Sequence, residues 1–404
     1  MGNDLVKRQY VGLVKPAEIG ALLRIGPGPL SVFWSNPSRA LHVTGLGVAG
    51  EGGGDVTWLS KLPTRPPPGP WFGGWAFDDA RPWVGFDAER WVLPEVLAWW
   101  DGRAPWIAAF GAAGTSAHQL EQRLAAVEEV EPFTGSIAAS LKVGSRAHWD
   151  RTIKAALKQI DAGTFDKVVC ARVIEVEAER DFPERAVLKA LEARHKQCWS
   201  FLVRGRDGRA FVGASPETLG EACEDVFCTD ALAGTSARGQ GGSLMNSDKD
   251  RREHRAVVEG IRESLGPFSL TVTNPPSPTV KVLANVEHLF TPIRATVKPG
   301  ITHLEVARAL HPTPAVAGRP RAAAMAWLRE HEGFSRGWYT GAVGTMGPGG
   351  LTLAVALRSA LLDGAKAQVF VGAGIVAGST PESEWIETER KSRALLPALG
   401  VHDA

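Results

Sequence analysis

The chain is poor in cysteine: 404 residues carry four, Cys170, Cys198, Cys223 and Cys228. None stands in a CxxC pair, and four are too few to staple a secreted scaffold of this length. A disulfide framework and a Cys-based metal or redox centre are therefore not expected, and the thiols read as reduced, in a cytoplasmic protein. An excess of one charge is also missing, since 45 basic against 44 acidic side chains leave a net +1. No field of that size gathers nucleic acid or anionic lipid, so neither is an expected partner. Uninterrupted apolar runs are lacking too. The uncharged stretches 104–120 and 337–357 are broken by Pro105, Gly111, Gly114 and His118 in one and by Gly344, Pro348 and Gly350 in the other, which makes both poor membrane spans. Residues 1–8 have no apolar h-region, so no export is expected. Repeats and low-complexity segments are absent. So is the signature of disorder, because 14 Trp and 15 Phe supply a large core.

What is present reads as α+β. Up to about residue 140, short apolar runs alternate with Gly and Pro, densest at 63–70, and predict strands joined by irregular loops. From 147 to 161, Trp149, Ile153, Leu157 and Ile160 recur at helical spacing until Gly163. Strands are predicted at 167–177, 210–214 and 229–233. A second helix follows, with Ser247 and Asp250 in the form of a capping box and Val257, Val258, Ile261 and Leu265 as its buried stripe. A third begins near Thr380 with Pro381 at its first position and runs to about Leu396, where Pro397 ends it. Between these helices, 337–345, 351–360 and 367–376 predict a β-meander. Without a βαβ rhythm, α+β is favoured over a doubly wound sheet.

Residues 45–50, GLGVAG, match GxGxxG after a predicted strand. A dinucleotide site needs a helix starting inside the motif and an acid about 20 residues on; Gly52, Gly53 and Gly54 prevent the helix, so a glycine-rich turn is the better reading. The carboxylates say more. Asp250 and Glu253 stand i, i+3 at the start of one predicted helix, and Glu384 and Glu387 do so at the start of another. Four such acids could hold a hard cation such as Mg²⁺ with its waters, or simply be solvated acids favoured by the helix macrodipole. Lys391, i+4 from Glu387, has the plain reading of a surface ion pair. Lys167 enters an apolar strand, and Glu217 follows Pro216 where a strand becomes a loop. Desolvation would lower the pKa of one and raise that of the other, suiting them to base and acid; the alternatives are a snorkelling lysine and a turn glutamate. His254 and His288 lie near acids, but no HExxH or Cys/His cluster points to zinc.

Nine blocks then occur in order: KVVCAR at 167–172, GASPE at 213–217, ALAGT at 231–235, KDRREH at 249–254, EHL at 287–289, LHPTPA at 310–315, RGWYTG at 336–341, GAGIV at 372–376 and EWIET at 384–388. With these, the chain from 147 to 397 resembles the chorismate-utilising enzymes, the superfamily of isochorismate synthase, salicylate synthase, anthranilate synthase component I and aminodeoxychorismate synthase. The upstream FGGWAF at 72–77 belongs to the same resemblance. It implies one large α+β domain over 1–404, with a strand-rich part at 1–140, a catalytic core at 147–397, two stacked antiparallel sheets flanked by helices, and a site between the sheets. It also implies Mg²⁺, with Glu253 and Glu387 as ligands and Asp250 and Glu384 holding its waters. Tyr339, Arg358, the amides around Gly372 to Gly374 and Lys391 would bind the carboxylates of chorismate, and Thr235 and His288 would line its ring.

Within the superfamily, amine-adding members characteristically carry Gln where this chain has Lys167, so the resemblance implies water addition at C2 with Lys167 as base and Glu217 as acid. Ala315 stands where amine-adding and salicylate-forming members tend to have Thr, which favours release of isochorismate over loss of pyruvate. The expected activity is that of an isochorismate synthase, an isomerase acting as a monomer, with a salicylate synthase as the alternative and a silent scaffold on the same fold as a rival of another class. Such a product feeds menaquinone, catechol siderophore or salicylate synthesis. The chain departs from the family at Cys170, Ala317 and the pair Ser236 and Ala237.

Overall fold

The computed structural model describes residues 10–13, 30–52, 71–100, 105–109, 139–283, 286–347 and 350–401. The N-terminal 1–8, the Pro-rich 63–70 and most of 104–120 lie outside them. Two sheets organise these residues, and every pairing between their strands is antiparallel. The larger, of 12 strands, runs Tyr10–Leu13, Pro105–Ala109, Val96–Trp100, Leu41–Leu46, Leu30–Asn36, Trp199–Arg204, Ala210–Ser215, Ser359–Asp363, Lys366–Val376, Lys167–Ala178, Gly318–Arg319, with Ala139–Lys142 paired beside Lys167–Ala178. The smaller, of 10, runs Ser269–Thr273, Val286–Val297, Val226–Ala237, Thr218–Cys223, Gly350–Val355, Ala342–Gly347, Trp71–Trp75, Glu89–Leu93, Gly50–Gly52, with Thr279–Val282 beside Val286–Val297. The architecture is the expected α+β pair of sheets flanked by helices.

The period-2 alternation of strands explains the layering. In the larger sheet Trp34, Phe201, Phe211, Leu361 and Phe370 face the other sheet and form one core with Phe72, Trp338 and Val343. Their neighbours Phe33, Leu202, Val212, Leu362 and Val369 point the opposite way, into a second core. That outer core is closed by helix α2 (Glu184–Arg194) through Val187, Leu188 and Leu191 and by the C-terminal Leu395, Leu396 and Leu399. Because both faces are covered, these strands read as continuous apolar runs rather than alternating ones.

Three further helices carry or support the site. Helix α1 (Arg146–Asp161) is capped by Ser145, whose Oγ accepts the His148 N–H at 3.2 Å, and it buries Trp149 and Ile153. Helix α3 (Asp248–Leu265) buries Val257, Ile261 and Leu265. Only half of the expected capping box forms: Ser247 Oγ accepts the Asp250 N–H at 3.2 Å, while Asp250 belongs to the acid cluster described below. Helix α4 (Pro381–Ser392) has a reciprocal cap between Thr380 and Ser383, with Pro381 in its first turn. It stops at Ser392 rather than near Leu396, and Pro397 opens a 3₁₀ turn, Leu396–Leu399, instead of ending a helix.

The predicted meander is corrected more deeply. Residues 337–341 form turns, and 351–360 is not one strand: Gly350–Val355 lies in the smaller sheet and Ser359–Asp363 in the larger. The break falls at Arg358, whose φ of 48° is left-handed and ends a strand. The GxGxxG stretch is likewise a crossing between sheets, with Gly47 at φ 64° and no helix.

Candidate active site

The chain crosses between the sheets at two adjacent places, and both shape one cleft. Between strands Ala210–Ser215 and Thr218–Cys223, Ser215 Oγ donates to Val355 O at 2.5 Å and accepts the Glu217 N–H at 3.2 Å, while Val355 N–H donates to Glu217 O at 3.1 Å. Alongside, Ala214 N–H donates to Arg358 O at 3.1 Å. Glu217 and Arg358 are thus fixed by main chain on neighbouring crossings. The cleft they border encloses about 770 Å³ including its open mouth, within the range of small-molecule sites.

Eleven of the fourteen residues singled out in the sequence line this cleft: Glu217, Thr235, Glu253, His288, Ala315, Tyr339, Arg358, Gly372, Gly374, Glu387 and Lys391. Lys167 stands immediately behind it. It is fully buried, with Nζ 2.9 Å from Glu253 Oε1. Gly374 makes that pairing possible, since a Cβ there would overlap Glu253 Oε1 and press on Lys167 Cε. Asp250 and Glu384 sit further back.

The acids at this end are not idle surface groups. On α4, Trp385 packs edge-on to Trp149 and beneath the Arg172 guanidinium, 3.9 Å from its ring, and Thr388 accepts from Arg172 Nε at 2.9 Å. This anchors the helix and turns the preceding residues, Glu384 and Glu387, inward. Lys391 Nζ then bonds Glu387 Oε1 at 2.7 Å and Gly372 O at 2.9 Å, and Lys249 Nζ bonds Glu384 Oε1 at 2.7 Å. Three of the four acids therefore hold a lysine, and among the described residues no three of His, Cys, Asp and Glu stand together as a ready-made metal site. Burial works to raise the pKa of Glu253, but Lys167, backed by Lys391 and Lys249, outweighs it and holds that carboxyl low. Burial, with the charges of neighbouring acids, raises the carboxyls of Asp250 and Glu384.

The opposite wall behaves differently. Burial, with help from Asp230, pushes Glu217 up to about 8, and its Oε1 has no hydrogen-bond partner. Burial lowers His288 to about 3 and His254 to about 4, so both rings are neutral. His288 Nδ1 lies 3.0 Å from Gly234 O and 3.1 Å from Thr235 Oγ1, and His254 Nε2 lies 2.8 Å from Thr291 Oγ1. Arg358 is a half-buried guanidinium lining the cleft, and its Nη1 reaches the Cys198 thiol at 3.8 Å. All four cysteines are free. Cys170, the departure in KVVCAR, is buried and its thiol pKa is raised by that burial, so it packs as a small apolar group.

A profile described as "Chorismate binding enzyme" matches residues 64–400. The chain belongs to the chorismate-binding enzymes. Among curated relatives it is similar to the salicylate biosynthesis isochorismate synthase of Pseudomonas aeruginosa, 41% identical over 63% of this chain. That match spans 55% of the relative's own length. It is also similar to the isochorismate synthase MenF of Haemophilus influenzae, 32% identical over 76% of this chain and 74% of that one. Among solved structures, the menaquinone-specific isochorismate synthase of Escherichia coli superposes with a TM-score of 0.83 at 26% identity, covering 97% of this chain and 94% of that one. No described helix is long and apolar enough to cross a membrane.

Sequence reasoning missed several residues of this cleft. Leu232, Ala233, Val169, Leu357 and Phe370 line the cleft but look like ordinary core. Lys281 and Asp230, which lie against the Glu217 turn, alternate with apolar neighbours as any solvated strand face would.

Proposed function

We propose that this chain is an isochorismate synthase, converting chorismate to isochorismate by adding water at C2 and expelling the C4 hydroxyl. The observation that carries the reading is the pairing of two buried groups at one cleft: Glu217, protonated up to about pH 8, and Lys167, withdrawn from water behind Gly374. A carboxyl that keeps its proton at neutral pH is what a departing hydroxyl needs. A lysine at position 167, in place of the Gln characteristic of amine-adding relatives, supports water as the nucleophile.

The Lys167 amine takes a proton from water and ends as the ammonium paired with Glu253 Oε1, 2.9 Å away. The water oxygen bonds to C2, the ring double bond migrates, and the C4–O bond breaks as Glu217 donates its proton, so one water enters and one leaves. Arg358, which has no carboxylate partner among the described residues and reaches only the Cys198 thiol, receives the substrate carboxylates together with Tyr339, Lys391 and the Gly372 to Gly374 main chain. Neutral His288 and Thr235 line the ring. Ala315 leaves room where relatives that go further tend to carry Thr, which supports release of isochorismate.

The donor set fits Mg²⁺: four carboxylates arrive from the first two turns of two helices, all hard oxygen ligands, and two of them, Asp250 and Glu384, are held at raised pKa by burial and by the neighbouring Glu387, with Glu253 adding to Asp250. Glu253 and Glu387 would hold the ion, with Asp250 and Glu384 on its waters. When bound, it supplies positive charge to orient and neutralise a substrate carboxylate.

Incubating purified protein with chorismate and Mg²⁺ and resolving the products by chromatography tests the reading. Isochorismate is the expected product. Salicylate with pyruvate would make the chain a salicylate synthase, and no turnover would leave a binding protein.

A further inference from the structure

Glu217 sits on a short turn whose main chain is tied on one side only, through Ser215 Oγ and Val355 N. Pro216 has no N–H, so its carbonyl is the turn's remaining main-chain handle. Lys281 grips it: Nζ donates to Pro216 O at 2.9 Å, with Asp230 Oδ2 at 3.5 Å and the Phe290 ring centroid at 4.9 Å from the same ammonium. Both charged residues belong to strands that flank Val286–Val297. Thr279–Val282 pairs Lys281 with His288, and Val226–Ala237 pairs Asp230 with Pro292. The Glu217 turn is therefore fastened to the same three strands that present His288 and Thr235 to the cleft. Since Glu217 Oε1 has no partner of its own, the carboxyl takes its position from the turn.

We infer that Lys281 and Asp230 are a positioning pair for Glu217, the lysine holding the Pro216 carbonyl and the aspartate holding the lysine. The inference rests on the reading of Glu217 as the general acid. Neither residue touches the substrate cleft itself, so the pair acts through the turn. Its geometry suits an amphipathic lysine, whose stem and head run over Phe290 to two oxygens. The charged groups that face Glu217 are Asp230, Lys167, Lys281 and Lys391. Asp230 favours the protonated carboxyl and Lys281 the ionised one, so removing them one at a time displaces Glu217 in opposite senses. The titration reports the charges of the pair, and kcat reports its hold on the turn.

The test uses the full chain labelled with ¹³C at glutamate side-chain carboxyls, the Glu217 signal being the one lost in Glu217→Gln. Expected results are a Glu217 titration midpoint that falls in Asp230→Asn and rises in Lys281→Met. In addition, kcat for chorismate consumption in Lys281→Met falls about tenfold, as displacement of a proton donor does, with KM within about twofold of the starting protein. Lys281→Arg, long enough to reach both oxygens, recovers most of kcat. Midpoints unmoved or moved in the same direction, or a Lys281→Met kcat equal to that of the starting protein, overturn the inference. Should Lys281→Met not fold, Lys281→Gln gives the same readings. If the unaltered chain makes some product other than isochorismate, the functional reading fails while the titration still decides whether the pair governs Glu217.

Discussion

Glu253 and Glu217 border one cleft, both largely withdrawn from water, and end in opposite charge states. Glu253 is held ionised because Lys167 Nζ stands 2.9 Å away with Lys391 and Lys249 behind it. Glu217 has no partner at Oε1, faces the like charge of Asp230, and keeps its proton to about pH 8. Burial presses in the same direction on both. What separates them is whether a cation was placed within hydrogen-bonding reach, and the fold makes that choice through main-chain position: Gly374 clears the space for the first pair, and the crossing at Ser215 to Thr218 leaves the second carboxyl facing three lysines with none bonded to its Oε1.

The largest effect expected comes from removing the cation of the ionised side. Lys167→Ala eliminates the proposed base and leaves Glu253 buried without its nearest partner, so isochorismate formation should vanish. Stability should also drop by about 3 kcal/mol, the usual cost of stripping one member of a buried pair. Near-UV circular dichroism will show a folded protein. Substantial turnover in that protein would remove Lys167 from the role of base.

Next in size is the acid on α4. Glu387→Gln keeps the shape and the contact to Lys391 but deletes a carboxylate charge, and the Mg²⁺ affinity read by calorimetry should fall at least tenfold, while proton transfer at Glu217 is untouched. Normal Mg²⁺ binding in this variant would show that the lysine-paired acids are structural ion pairs and nothing more.

The two sides also differ in how legible they were. The helices carrying the acids announced themselves, because Ser247, Thr380 and Pro381 are capping residues followed by apolar stripes, and one acid of each i, i+3 pair, Glu253 and Glu387, lines the cleft. Lys167 was visible as a charge entering an apolar strand. The crossings were not visible. A left-handed residue is normally flagged by Gly or Asn, but here it is Arg358, so 351–360 read as one strand when it spans two sheets. The Lys281–Asp230 pair was hidden for a related reason: its meaning lies in a contact to Pro216, 65 residues away in the chain. Local pattern specifies elements, whereas a long-range main-chain contact leaves no local trace.

The smallest expected effect is on stability and tests the comparison most directly. A carboxyl that holds its proton longer in the folded than in the unfolded chain makes the folded state bind more protons between the two pKa values, so stability falls as pH rises through that window. For Glu217 the window runs from 4.5 to about 8, and the raised Asp250 and Glu384 push in the same direction. His254 and His288, lowered to about 4 and about 3 from 6.5, act oppositely. The unfolded chain binds their protons first, and stability falls as pH drops below about 6.5. Their influence is spent above about 6.5, which leaves the interval up to about 8 mainly to Glu217. Urea midpoints should therefore decline from pH 6.5 to 8, and Glu217→Gln, which cannot ionise, should flatten that decline. If the variant keeps the full slope, the unpartnered carboxyl titrates as an ordinary one, and the absence of a cation is not what sets Glu217 apart from Glu253.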